Sequence, residues 1–172
     1  MANVILPIIT NDYEAFKHIK NSLILQGEKS MNADNDCAYR GYSEFILNEA
    51  KKEAGDIDGI GDYDSDLFYD FLCNQPTTLA CAAGFLMSDR LYDDYLEGQT
   101  VDSPHIDVIK ESNPLWEFTD YSWNMIMALQ NLHDQTPPMY WEHNFESLEQ
   151  FFVDNKFTYE GKMNSFELLF KK

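Results

Sequence analysis

Two histidines and two aspartates stand in an order that could hold a metal ion: His105, the pair His133-Asp134, and Asp154. Two imidazoles and two carboxylates around a divalent cation can activate water for attack on a phosphoryl group. His133 also has a simpler use, because a histidine near a helix C-terminus interacts favourably with the helix dipole without any metal. The stretch from residue 55 to 66 is dense in Asp and Gly and invites a calcium reading. With Asp56 in the first position of a calcium loop, Asp58, Asp62 and Asp64 fall near ligand positions and Gly61 falls on the required glycine. Ile60 and Leu67 then occupy the fifth and twelfth positions, where an oxygen ligand and a bidentate Glu are needed. Weak, nonspecific cation binding or a plain solvated acidic loop is the expectation. Cys37, Cys73 and Cys81 form no CxxC pair and leave one thiol over in any disulfide scheme, so reduced thiols are expected. Cys37 and Cys81 are read as structural, core-filling residues; joining them with His133 in a zinc or thiol–base site lacks any supporting spacing. No phosphate-cradling glycine loop, GxSxG elbow or HExxH motif is present.

The elements that must position these residues are mostly helical. Asn11 caps a first helix to about Gln26, with Glu14 three residues on, and Tyr13, Phe16, Ile19, Leu23 and Ile24 on one face. Ser43 opens a second helix to about Ala54 with Phe45 and Ile46 offered for burial, and Asp64 or Ser65 opens a third bearing Leu67, Phe68, Phe71 and Leu72. Residues 79–87 fit a buried strand or a tightly packed helix equally well. Further helices are expected from Ser88 to Leu96, from Ser103-Pro104 to Glu111, from Thr119 to Asp134, and from an Asn144 cap onward. Residues 157–170 read as a small hairpin or a final short helix. The expected architecture is mainly α with a minor β element, a single compact acidic helical domain over residues 1–172.

Charge narrows the function. The chain carries 30 acids and 12 bases, a formal net charge of −18, and 44% hydrophobic residues. That apolar content is too high for a disordered acidic tail, so the acidity decorates a folded body. Residues 42–76 hold 9 acids and 2 bases, and residues 77–118 hold 8 and 2. Such a surface repels phosphate backbones and anionic membranes and attracts basic partners. Direct nucleic-acid binding, membrane association and a cofactor are not expected. The apolar start lacks the basic leader of a secretory signal, and no run suffices to span a bilayer.

Several segments together resemble a family of small phage and prophage proteins: Gln26-Gly-Glu-Lys-Ser30, Cys37-Ala-Tyr-Arg40, and Cys81-Ala-Ala-Gly-Phe-Leu-Met-Ser-Asp89. Tyr92, Glu97-Gly98, Leu129-Gln-Asn-Leu-His-Asp134 and Trp141 extend the pattern. In that family the Cys-x-Tyr-Arg and Cys-Ala-x-Gly pieces lie close together, whereas here an Asp-rich segment, about residues 41–79, stands between them. The resemblance implies a viral or mobile-element origin and brings no activity with it. Arg40, one of two arginines, is expected to form an internal clasp with Asp89 or Glu97 rather than to bind a substrate.

These observations lead to one expectation and two alternatives. The expectation is a phage-encoded acidic protein of the host cytoplasm that inhibits a nucleic-acid-acting defence enzyme by occupying its basic surface. Its partner-binding carboxylates would be Asp56, Asp58, Asp62, Asp64, Asp66, Asp70, Asp93, Asp94 and Glu97. The alternatives are a metal-dependent phosphohydrolase built on His105, His133, Asp134 and Asp154, and a phage assembly protein without catalysis.

Overall fold

The computed structural model describes residues 6–33, 38–56, 63–75, 77, 79–93, 96 and 103–154. Within them run α1 (Asp12–Gln26), β1 (Arg40–Gly41), α2 (Glu44–Glu53), α3 (Ser65–Cys73), β2 (Leu79–Ala80), α4 (Ser103–Ser112), α5 (Asp120–Gln135) and α6 (Trp141–Asp154). The protein is mainly α with a two-stranded antiparallel sheet, in which Arg40 faces Ala80 and Gly41 faces Leu79.

Helix α1 is the centre of the larger core. The Asn11 side chain accepts the Glu14 amide, and the Glu14 carboxylate accepts the Thr10 amide at 2.8 Å, so two amides at the helix entry are satisfied. Gly27, at φ 68°, ends the helix in the left-handed region and returns its N–H to the Leu23 carbonyl. Ala15, Phe16, Ile19 and Leu23 are fully buried among residues of α4, α5, α6 and the 3-10 turn Gly84–Leu86. Polar ties fix the register of the neighbours. Asp12 accepts the Trp116 indole N–H at 2.9 Å and the Ser122 hydroxyl at 2.6 Å. Glu149 on α6 accepts Lys20 at 2.6 Å and the Tyr13 hydroxyl at 3.0 Å. The Lys20 hydrogen bond holds the Glu149 carboxyl below the usual carboxylate range.

A second, smaller cluster joins α2 and α3 through Leu47, Ala50, Ala54, Phe68 and Leu72. Ser43 caps α2, and Asp64 caps α3 by accepting the amides of Asp66 and Leu67. The sequence pattern places Phe45 and Leu67 on buried faces, yet they are 68% and 53% exposed. The reason is length: helices of 10 and 9 residues meet along a single narrow seam, which Leu47, Phe68 and Leu72 already fill.

Other differences are local. Where a helix from Ser88 to Leu96 is expected, residues 88–92 form two hydrogen-bonded turns on the Ser88 carbonyl, with the Met87 carbonyl taken by Arg40; residues 94 and 95 lie outside the described residues. Residues 79–87 are neither strand nor helix throughout; they divide into β2 and the 3-10 turn. Helix α6 starts at Trp141, ahead of Asn144, since Pro137-Pro138 leads into a 3-10 turn (Pro138–Tyr140) that runs directly into it. The Tyr13 ring lies at the rim of the core rather than within it. Residues 157–170 lie outside the described residues.

His18, also on α1, donates from Nε2 to the Phe85 carbonyl at 3.1 Å. Burial lowers its pKa, and the carbonyl only partly offsets this. The unfolded chain therefore binds the proton more readily, near the ordinary value of about 6.5. Stability contributed by neutral His18 is present above that value and lost as the pH falls through the folded pKa. Comparative denaturant melts between about pH 7 and pH 5 should show the wild type losing more stability than His18→Gln, since general charge effects are common to both.

Candidate functional site

The densest polar constellation centres on Arg40. Its backbone belongs to β1, and its side chain runs beneath the turn that follows β2. Nη1 donates to the Gly84 carbonyl at 2.7 Å; Nη2 donates to the Met87 carbonyl at 2.8 Å and to Asp89 at 3.1 Å. The guanidinium also lies 5.8 Å from the centre of the Tyr92 ring. The side chain is only 11% exposed. A planar cation with five donors suits two carbonyls and a carboxylate arrayed around it, which a lysine could not bind as a fork. Two glycines make the approach possible. A Cβ on Gly84 would collide with the Tyr39 carbonyl, and one on Gly41 would lie 2.5 Å from the Met31 carbonyl oxygen.

Gln26 continues this layer. Its side-chain amide accepts the Ala80 N–H at 2.8 Å and donates to the Ala80 carbonyl at 3.0 Å, covering the outer edge of β2 as another strand would. Gln130 on α5 accepts the Ala83 amide at 3.3 Å and donates to Asp134 at 2.8 Å. Both glutamines lie in segments that carry the resemblance to phage proteins, but neither is assigned a structural role from sequence. The usable signal for Gln130 is its place on the apolar face of a helix, where a polar group needs a partner.

His133 and Asp134 belong to the same layer. The His133 ring is fully buried, donates from Nδ1 to Asp134 at 2.8 Å, and stacks on Trp141 with centroids 5.2 Å apart. His105 is also fully buried, but it donates to the Leu96 carbonyl at 3.2 Å and packs against Tyr39 at 4.8 Å. Each imidazole thus has its own structural environment. Among the described residues no three His, Cys, Asp or Glu side chains gather as a metal cluster; the Asp154 side chain lies outside them. Cys81 is buried in the larger core, and Cys37 lies outside the described residues.

The proposed partner-binding carboxylates fare differently from one another. Asp64, Asp66, Asp70 and Asp93 are exposed and Asp56 is half-buried; Asp58, Asp62, Asp94 and Glu97 lie outside the described residues. Asp64 engages the α3 amides at 3.0 and 3.2 Å, as a helix cap does. Asp66 and Asp70, four residues apart, project from one side of α3 about 6 Å apart along its axis. No described helix is long and apolar enough to cross a membrane. Comparison with protein-family models, curated proteins and solved structures finds no match to this chain.

Two substitutions probe the constellation. Arg40→Met should cost about 2–3 kcal/mol in denaturant unfolding, because it strips donors from two carbonyls and a carboxylate, and Arg40→Lys should restore only part of this. His133→Ala should cost roughly 1–3 kcal/mol through lost packing on Trp141. Elemental analysis is expected to find no zinc, iron or manganese released by this change. Stoichiometric metal in the wild type that disappears in the variant would instead place the ring in a ligand set.

Proposed function

We propose that the protein is an acidic binding protein of phage or prophage origin. In this reading it inhibits a host enzyme that acts on nucleic acid, such as the nuclease of a restriction or CRISPR-type defence system, by occupying its basic surface in the host cytoplasm. The observation that carries this reading is the net charge of −18 on a folded helical body, with Asp64, Asp66 and Asp70 exposed on one short helix. Carboxylates on a rigid helix present charge to a basic groove without the ordering cost of a flexible acidic tail. The partner's lysines and arginines would exchange their usual phosphate contacts for these carboxylates, and release of bound counterions would favour the complex. Resemblance to phage proteins supports a host enzyme as the target.

The experiment is affinity capture from host lysate, followed by a salt titration with the captured protein. Association should weaken steeply between about 0.05 and 0.5 M salt, a range over which screening changes severalfold. Exchanging Asp56, Asp58, Asp62, Asp64 and Asp66 together for Asn should leave the melting temperature in place, since Asn also caps helices, and should reduce affinity about tenfold. Salt-insensitive binding would rule out electrostatic mimicry. An Asn variant that binds the partner with unchanged affinity would move recognition away from this segment.

A further inference from the structure

A cleft of about 680 Å³ opens where the connection after α1, the first turns of α2 and the turn after α5 meet. Its volume falls within the usual range for sites that enclose a ligand. The apolar part of its wall comes from Met31, Phe45, Pro137 and Pro138. Phe45 is 68% exposed, on the face of α2 turned away from the α2–α3 seam. Nothing in the internal packing of α2 requires a large aromatic ring there, since Leu47 and Ala50 make the seam.

The charged lining of the cleft is acidic on balance. Glu28 and Glu44 are exposed at its walls. Among the described lining residues the one cation, Lys29, is directed to the Asp134 carbonyl in the last turn of α5. That turn is the negative pole of a 16-residue helix, and Lys29 answers it, which leaves Glu28 and Glu44 to face the cleft. The two prolines contribute no N–H with which an anion could be held. An apolar floor beside two exposed carboxylates therefore complements a ligand that is both apolar and cationic.

We propose that this cleft binds an extended peptide segment of a partner protein, one large apolar side chain packing on Phe45 and flanking lysines or arginines facing Glu28 and Glu44. The inference rests on the reading of the protein as an acidic binder and deepens it. Carboxylates on α3 attract basic surfaces in general, whereas a central aromatic contact shielded from water selects among them.

The test uses fluorescein-labelled peptides and the full chain in anisotropy titrations. The first peptide is Gly-Lys-Lys-Leu-Phe-Lys-Arg-Gly; the second replaces Leu-Phe by Ser-Ser, and the third replaces every basic residue by Glu. The first should bind, and the other two should bind at least about tenfold more weakly. Phe45→Ser should weaken the first peptide by about tenfold while leaving circular dichroism and melting temperature unchanged, because the ring is exposed. The variant with five Asp-to-Asn changes should keep the peptide within about threefold, because Asp56, Asp64 and Asp66, the described members of the set, do not line the cleft. No binding of the first peptide, unchanged affinity in Phe45→Ser, or an equal loss in the Asn variant would each overturn the proposal. So would a dimer in sedimentation velocity that Phe45→Ser dissociates, which would make a second copy the occupant. Intact peptide binding together with salt-insensitive partner capture would leave this site standing and remove the mimicry reading instead.

Discussion

The arrangement around Arg40 is the constraint on which the rest of the structure depends. A guanidinium taken out of water is costly unless its donors are met, and here two carbonyls and Asp89 meet them. Meeting them bends the chain after β2 into a 3-10 turn and brings Gly84 against the Tyr39 backbone. Leu86 and Met87 are thereby delivered, fully buried, to the core beneath α1. Gln26 and Gln130 hold the same turn from two other sides through Ala80 and Ala83. Three segments far apart in the chain, those of Gln26, Arg40 and Gln130, thus converge on one strip of backbone.

In so acidic a chain the carboxylates divide into two populations. Asp12, Asp89 and Glu149 accept specific hydrogen bonds that join elements to one another, and Asp134 accepts from Gln130 and His133 within α5. Asp66 and Asp70 are exposed to solvent. The first population contributes stability because each acceptor replaces water with a charged or well-aligned donor. The second adds mutual repulsion, which the aromatic and aliphatic cores must offset. Retaining that repulsion is consistent with a role in recognition, and the cleft beside Phe45 would supply selectivity that charge alone lacks.

The boundaries of α1, α2, α3 and α5 were legible because their caps are local chemistry. Asn11, Ser43, Asp64 and Thr119 each reach an amide only two or three residues ahead. The buried stripe Phe16–Ile19–Leu23 followed from the 3.6-residue period for the same reason. The pairing of Arg40 with a nearby carboxylate followed from the scarcity of arginine among so many acids. The turns after Ser88 and the early start of α6 were not legible, because partners remote in sequence or a 3-10 lead-in override the local signals there.

Residue types and short-range spacing therefore settled the helical character, the caps and the acidic balance of this protein, all of which depend on neighbours within a few positions. The separation of His105 from His133 into distinct stacked environments was decided by packing, as was the exposure of Phe45 and the cleft beside it. Burial and proximity belong to pairs of residues many positions apart. A histidine or phenylalanine carries in its own identity no record of which helix will lie against it.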